Sequence, residues 1–125
     1  MAEGREHKRI YFGSGTELVG SFHPVNEPEN TFYGRILNLS RGGLFVSIRH
    51  ERKMFLQSND LLVMNEIKSN DIINMTTNIL LEVRWTHDQG MVDYLGCGCQ
   101  FIEVAENGLE QVEKLLEWGE LMANS

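Results

Sequence analysis

The chain has 125 residues, 42% of them hydrophobic and 23% charged, with two prolines and a net charge of −7. That length holds one core of ordinary size, and the composition is globular, neither disordered nor collagen-like. The acidic balance opposes attraction to nucleic-acid polymers or anionic membranes, which need a broad basic face. No apolar run reaches the roughly 18 residues that span a bilayer, and the start lacks the apolar core of a signal peptide, so direct membrane insertion is not expected and the cytoplasm is the expected location.

The charge is uneven. Arg5, Lys8 and Arg9 stand together against Glu6, whereas Glu103, Glu106, Glu110, Glu113, Glu117 and Glu120 face only Lys114 over residues 103–120. A small anion is compatible with the basic start while a polyanion is repelled by the rest.

In chain order, Thr16 to Phe22 is predicted as a first strand, broken by Pro24 and Pro28 in the segment 23–30. Thr31 to Ser40 is a second strand. A period of two places Tyr33, Arg35, Leu37 and Leu39 on one face and Ile36, Asn38 and Ser40 on the other. Gly42-Gly43 makes a turn into a third strand, Leu44 to Ile48, giving an antiparallel hairpin. A charged loop over 49–53 follows, then strands over 60–67 and 74–85, the latter rich in the β-branched Thr76, Thr77, Ile79 and Val83.

The last strand, over 92–103, alternates most clearly: Leu95, Cys97, Cys99 and Phe101 share one face, and Gly96, Gly98 and Gln100 the other. The glycines imply close approach of another group. Asn107 with Glu110 has capping-box spacing, and Leu109, Val112, Leu115, Leu116 and Met122 recur at helical intervals, so a helix over 107–123 closes the chain. About six short strands and one helix imply a mainly β fold, a small antiparallel barrel or sandwich with the helix packed over one opening. Neither GxGxxG nor GxxxxGK[ST] is present.

Two elements carry chemistry. Arg5 and Arg9 lie four apart in a segment too polar to be a core element. Asn38 and Ser40 set two short polar groups on one strand face just before a glycine turn, where backbone and side chain together can read the edge of a planar ligand.

These elements in this order, Arg5-x-x-x-Arg9, then Asn38-x-Ser40-x-x-Gly43, ahead of Gly98-Cys99-Gln100-Phe101, resemble the PilZ domain family over most of the chain. The resemblance implies one domain over 1–125: a flexible N-terminal arm over 1–12, a six-stranded antiparallel β-barrel over 16–103 and a C-terminal α-helix over 107–123. It also implies a non-enzymatic receptor for the bacterial second messenger cyclic di-GMP, bound by Arg5, Arg9, Asn38, Ser40 and Gly43, with the arm ordering over the ligand and a downstream protein as partner. Arginine suits that ligand, because its planar fork pairs with phosphate or with guanine O6 and N7 and stacks on a base. Some similar members carry a further arginine where this chain has Gly4, a departure that favours one ligand per chain, although Lys8 and Arg41 are available as substitutes.

Cys97 and Cys99 are too close along a strand to form a disulfide framework, and no histidine stands at metal-motif spacing from them, so they are expected to be buried core thiols and no metal is expected. No local nucleophile–base arrangement suggests catalysis. The competing readings are a nucleotide-independent protein–protein adaptor with the same fold, against which the intact signature weighs, and an oligonucleotide-binding barrel, against which the net charge weighs.

Overall fold

Alternating apolar positions in 94–103 and β-branched runs in 73–88 do form strands, and their neighbours pair with them. The computed structural model describes residues 8–13, 16–49, 56–69, 73–88, 94–104 and 106–123. Among these are β1 (Ile10–Tyr11), β2 (Leu18–Pro24), β3 (Phe32–Leu39), β4 (Gly43–Arg49), β5 (Leu61–Ser69), β6 (Ile73–Asp88), β7 (Tyr94–Glu103) and a helix, α1 (Glu106–Ala123). The antiparallel order β3-β2-β5-β6-β7-β4 closes through β3–β4 pairing, so six strands make a barrel. Closure removes the free edges that an open sheet would present.

The seventh strand, β1, pairs with the end of β3, Ile10 opposite Leu39 and Tyr11 opposite Asn38, where β2 has run out after pairing Leu18 with Ile36. Ile10 and Phe12 are buried, so residues 10–12 of the segment expected to be flexible over 1–12 are anchored to the barrel, while residues 1–7 lie outside the described residues. Two apolar residues are too few to show a strand period.

Inside the barrel, Leu18, Phe22, Ile36, Leu39, Leu44, Val46, Leu62, Met64, Ile67, Ile79, Leu81 and Val83 are fully or almost fully buried. Each large side chain removed from water contributes about 1.5–3 kcal/mol before entropy is counted. The helix covers one opening with Val112 and Leu115, both buried, and with Trp118, whose ring stacks on Phe12 at 6.1 Å. Gly119 lets the helix approach β1: a Cβ there would lie 2.6 Å from Ile10 Cγ2. The expected stripe is therefore shifted, because Leu109 and Met122 are exposed and glycine occupies part of the contact face.

Three local expectations are corrected. A β-bulge between Ile36 and Asn38 leaves Leu37 unpaired with β4, so Ile36 and Leu39 both enter the core and Leu37 and Leu39 do not share a face. The first strand continues through Pro24, at a strand terminus where a missing N–H is tolerated. The helix begins at Glu106, which makes Asn107 a helical residue and not the cap. The charged loop expected over 49–53 lies outside the described residues beyond Arg49.

Candidate functional site

Strand β1 is what brings the leader to the glycine turn. With Tyr11 opposite Asn38, Arg9 lies beside the same strand end, and its Nη1 donates a hydrogen bond to Asn38 Oδ1. Asn38 is 7% exposed, enough to meet a side chain arriving from outside. Arg5, the other arginine of the pair, lies outside the described residues.

Ser40 is almost fully buried and organises the turn. Its backbone N–H donates to Gly43 O at 2.9 Å, and its hydroxyl accepts from Gly42 N–H at 3.2 Å and donates to Gly43 O at 3.4 Å. The last contact is long, so the hydroxyl hydrogen has little to lose by turning to another acceptor. Gly43 has a reason the sequence did not disclose. A Cβ there would sit 2.1 Å from the carbonyl oxygen of Cys99, because β4 and β7 pair Gly43 with Gln100.

An open cleft of about 490 Å³ runs from this point across β4 and β7 to β6. That volume is within the range of about 300–1,000 Å³ typical of small-molecule sites. Arg9, Tyr11, Asn38, Ser40 and Gly43 line it from the β1–β3 end, and Arg84, Trp85 and Gln100 from the β6–β7 end. Among the described residues its lining holds two arginines and no carboxylate. Phe45 and Gly98 lie between, the Phe45 ring stacked on Trp85 at 5.1 Å. A Cβ on Gly98 would lie 2.3 Å from the Trp85 ring, which accounts for a glycine at this position of β7.

Tyr11, Arg84 and Trp85 were not anticipated as site residues. Arg84 and Trp85 are adjacent, and a regular strand would send them to opposite faces. A bulge between Val83 and Trp85 breaks the alternation, so Val83 is buried while Arg84 and Trp85 both reach the cleft. An exposed tryptophan beside an arginine, facing a Gly-x-Gly strand, was the available signal.

Among the described residues, the other cations of the leader and turn, Lys8 and Arg41, are already paired with the helix. Lys8 Nζ is 2.6 Å from Glu120 Oε2, and Arg41 Nη2 is 2.6 Å from Glu113 Oε2. The sequence's basic start and acidic end thus meet in space. Cys99 borders the cleft and Cys97 lies in the core; burial pushes both thiols up to about 12, so they stay neutral at ordinary pH. Among the described residues no group of three or more His, Cys, Asp or Glu side chains could hold a metal ion, and no helix is long and apolar enough to cross a membrane.

Comparison with known proteins agrees with this fold. No curated protein matches the sequence significantly. Among solved structures, the chain is similar to the PilZ domain with c-di-GMP of YcgR from Escherichia coli, at 14% identity and TM-score 0.70, covering 95% of this chain and 93% of that one. It is also similar to the K. pneumonia MrkH-c-di-GMP complex, at 20% identity and TM-score 0.73, covering 96% of this chain and 53% of that one. A third is the Bacillus subtilis inhibitor of motility (MotI/DgrA), at 14% identity and TM-score 0.64, covering 94% and 51%. The chain therefore spans about half the length of the MrkH and MotI/DgrA chains. The model of the PilZ domain matches residues 3–118. With a closed six-stranded barrel, a capping helix and a match over nearly its whole length, this chain belongs to the PilZ domain family.

Proposed function

We propose that this chain is a non-enzymatic receptor for cyclic di-GMP, which binds in the cleft between the leader and β6. The observation that carries the reading is the meeting of Arg9 with Asn38 at the rim of a cleft whose described lining has two arginines and no carboxylate. Two of the structures it resembles are described with c-di-GMP, the PilZ domain of YcgR and MrkH.

In this reading Arg9 and Arg5 bind phosphate and guanine. Asn38 and Ser40 hydrogen-bond a guanine edge or a neighbouring phosphate, and Gly43 lets β4 and β7 close the floor beneath. A charge-assisted hydrogen bond contributes about 1.5–3 kcal/mol net, and a bidentate guanine contact about 1–3 kcal/mol. A few such contacts, less the cost of association, are enough for affinity of about 1 μM or tighter.

The output is a changed surface. Ligand phosphates compete with Glu120 and Glu113 for Lys8 and Arg41, so occupancy alters how the leader and turn meet α1, and a partner protein in the cytoplasm senses the difference. Isothermal titration calorimetry of the full chain with cyclic di-GMP is the test. Saturable heat at low micromolar ligand is expected, and no heat at high micromolar ligand would remove the reading.

A further inference from the structure

The leader and the glycine turn account for one end of the cleft, and the other end has a cation of its own. Arg84 sits at the bulge of β6, where Val83 pairs with Cys99 and Trp85 with Gly98, leaving Arg84 as the inserted residue. Bulges re-aim side chains, and here the inserted residue points along the surface into the cleft instead of continuing the alternation. Trp85 is fixed beside it by the Phe45 ring and by contact over Gly98, so the bulge is held in place.

The guanidinium is oriented as well as placed. Its Nη1 donates to Gln100 Oε1 at 2.9 Å and to Glu82 Oε1 at 3.3 Å, which uses both hydrogens of that nitrogen. Among the described residues, the Nε and Nη2 donors make no hydrogen bond. Arg84 thus presents a free two-donor edge, with its third side tied down. A surface ion pair with Glu82 alone would need neither the bulge nor the glutamine.

Resting on the reading of the cleft as a cyclic di-GMP site, we infer that Arg84 is a specificity-determining residue that reads the O6/N7 edge of one guanine, with Gln100 as its positioning residue. Two parallel N–H donors match the two acceptors of that guanine edge. Adenine presents a donor at N6 in place of O6, so the same edge repels it. The ligand has two guanines and two phosphates. A cleft with an arginine at each end serves both halves, and the arginine on β6 discriminates the base.

The experiment is calorimetric titration of the wild type, Arg84→Ala, Arg84→Lys and Gln100→Ala with cyclic di-GMP and with cyclic di-AMP, alongside circular dichroism to verify folding. A lost bidentate base contact corresponds to about a tenfold or greater weakening. Arg84→Ala is expected to show that loss for cyclic di-GMP, with a markedly smaller loss for cyclic di-AMP, so the preference between them narrows. Arg84→Lys keeps the charge without the fork and is expected to leave the preference narrowed, and Gln100→Ala to narrow it in the same sense. Equal losses for both dinucleotides in Arg84→Ala would overturn base reading in favour of a phosphate contact. Wild-type affinity retained within about twofold, less than a single good contact is worth, would remove Arg84 from the site altogether. Wild type that binds neither dinucleotide would instead sink the receptor reading itself, and this inference with it.

Discussion

Arg9 and Asn38, 29 positions apart in sequence, are joined by a hydrogen bond from the Arg9 Nη1 to the Asn38 side-chain carbonyl. The two-residue strand β1 makes that contact possible, since pairing Tyr11 with Asn38 fixes the leader against the end of β3. A guanidinium held by one neutral acceptor retains donors for an anion, and among the described residues no carboxylate lines the site it borders.

Arg9→Ala removes a charge-assisted contact from the proposed ligand and leaves the core untouched. Cyclic di-GMP affinity is expected to fall by about tenfold or more. The midpoint of thermal unfolding without ligand is expected to drop by no more than about 5 °C, because the Arg9–Asn38 bond is partly solvated. Titration calorimetry and a melting curve read the two effects separately, and a large stability loss with unchanged affinity would make Arg9 a structural residue.

Neutralising the carboxylates that hold Lys8 and Arg41 acts in the opposite direction. Both ion pairs are largely exposed, so each is worth at most about 1 kcal/mol. A Glu113→Gln, Glu120→Gln double variant frees two cations for phosphate and is expected to bind cyclic di-GMP about two- to fivefold more tightly at low salt. The gain shrinks as salt screens the exposed charges. Weaker binding by the double variant would show that the helix carboxylates support the site and do not compete with it.

Gly43→Ala tests a packing role that its motif position conceals. The added methyl meets the Cys99 carbonyl oxygen at 2.1 Å, and two paired strands must separate to admit it. The expected cost is about 2–3 kcal/mol in urea unfolding, typical of overpacking. Unchanged stability would mean that β4 and β7 yield locally and that this glycine serves only ligand approach.

Much of the architecture was legible because its signals are periodic. Leu95, Cys97, Cys99 and Phe101 face the core as their alternation requires, and the β3–β4 hairpin forms around Gly42-Gly43. What was hidden lies at two bulges. One inserted residue at Leu37 and another at Arg84 carry no compositional mark, yet each reverses the faces of everything beyond it. That is why Leu37 and Leu39 were expected to share a face and why Arg84 and Trp85 were not anticipated together in the cleft. The helix stripe shifted for a related reason: Gly119 contributes to packing by having no side chain, which hydrophobic periodicity cannot register.

The two buried thiols give a pH signature. Their ordinary value is 9.0, and burial raises both to about 12, the charge of Cys97 adding a little at Cys99. Folding therefore favours the protonated form. The stabilisation is complete below about pH 9 and is lost as pH rises toward 12. A thiol-labelling reagent at pH 8 is expected to react slowly with native protein and quickly once urea unfolds it. Rapid labelling of native protein would mean that the β7 face opens readily.

Two-dimensional amide and indole NMR during cyclic di-GMP titration probes most directly whether leader, turn and β6 form one binding surface. Saturable shifts are predicted at Arg9, Asn38, Gly43 and the Trp85 indole, with little change at His23 and Asn65 on β2 and β5. Spectra that stay unchanged at high micromolar ligand, or that move only around His23 and Asn65, would contradict it.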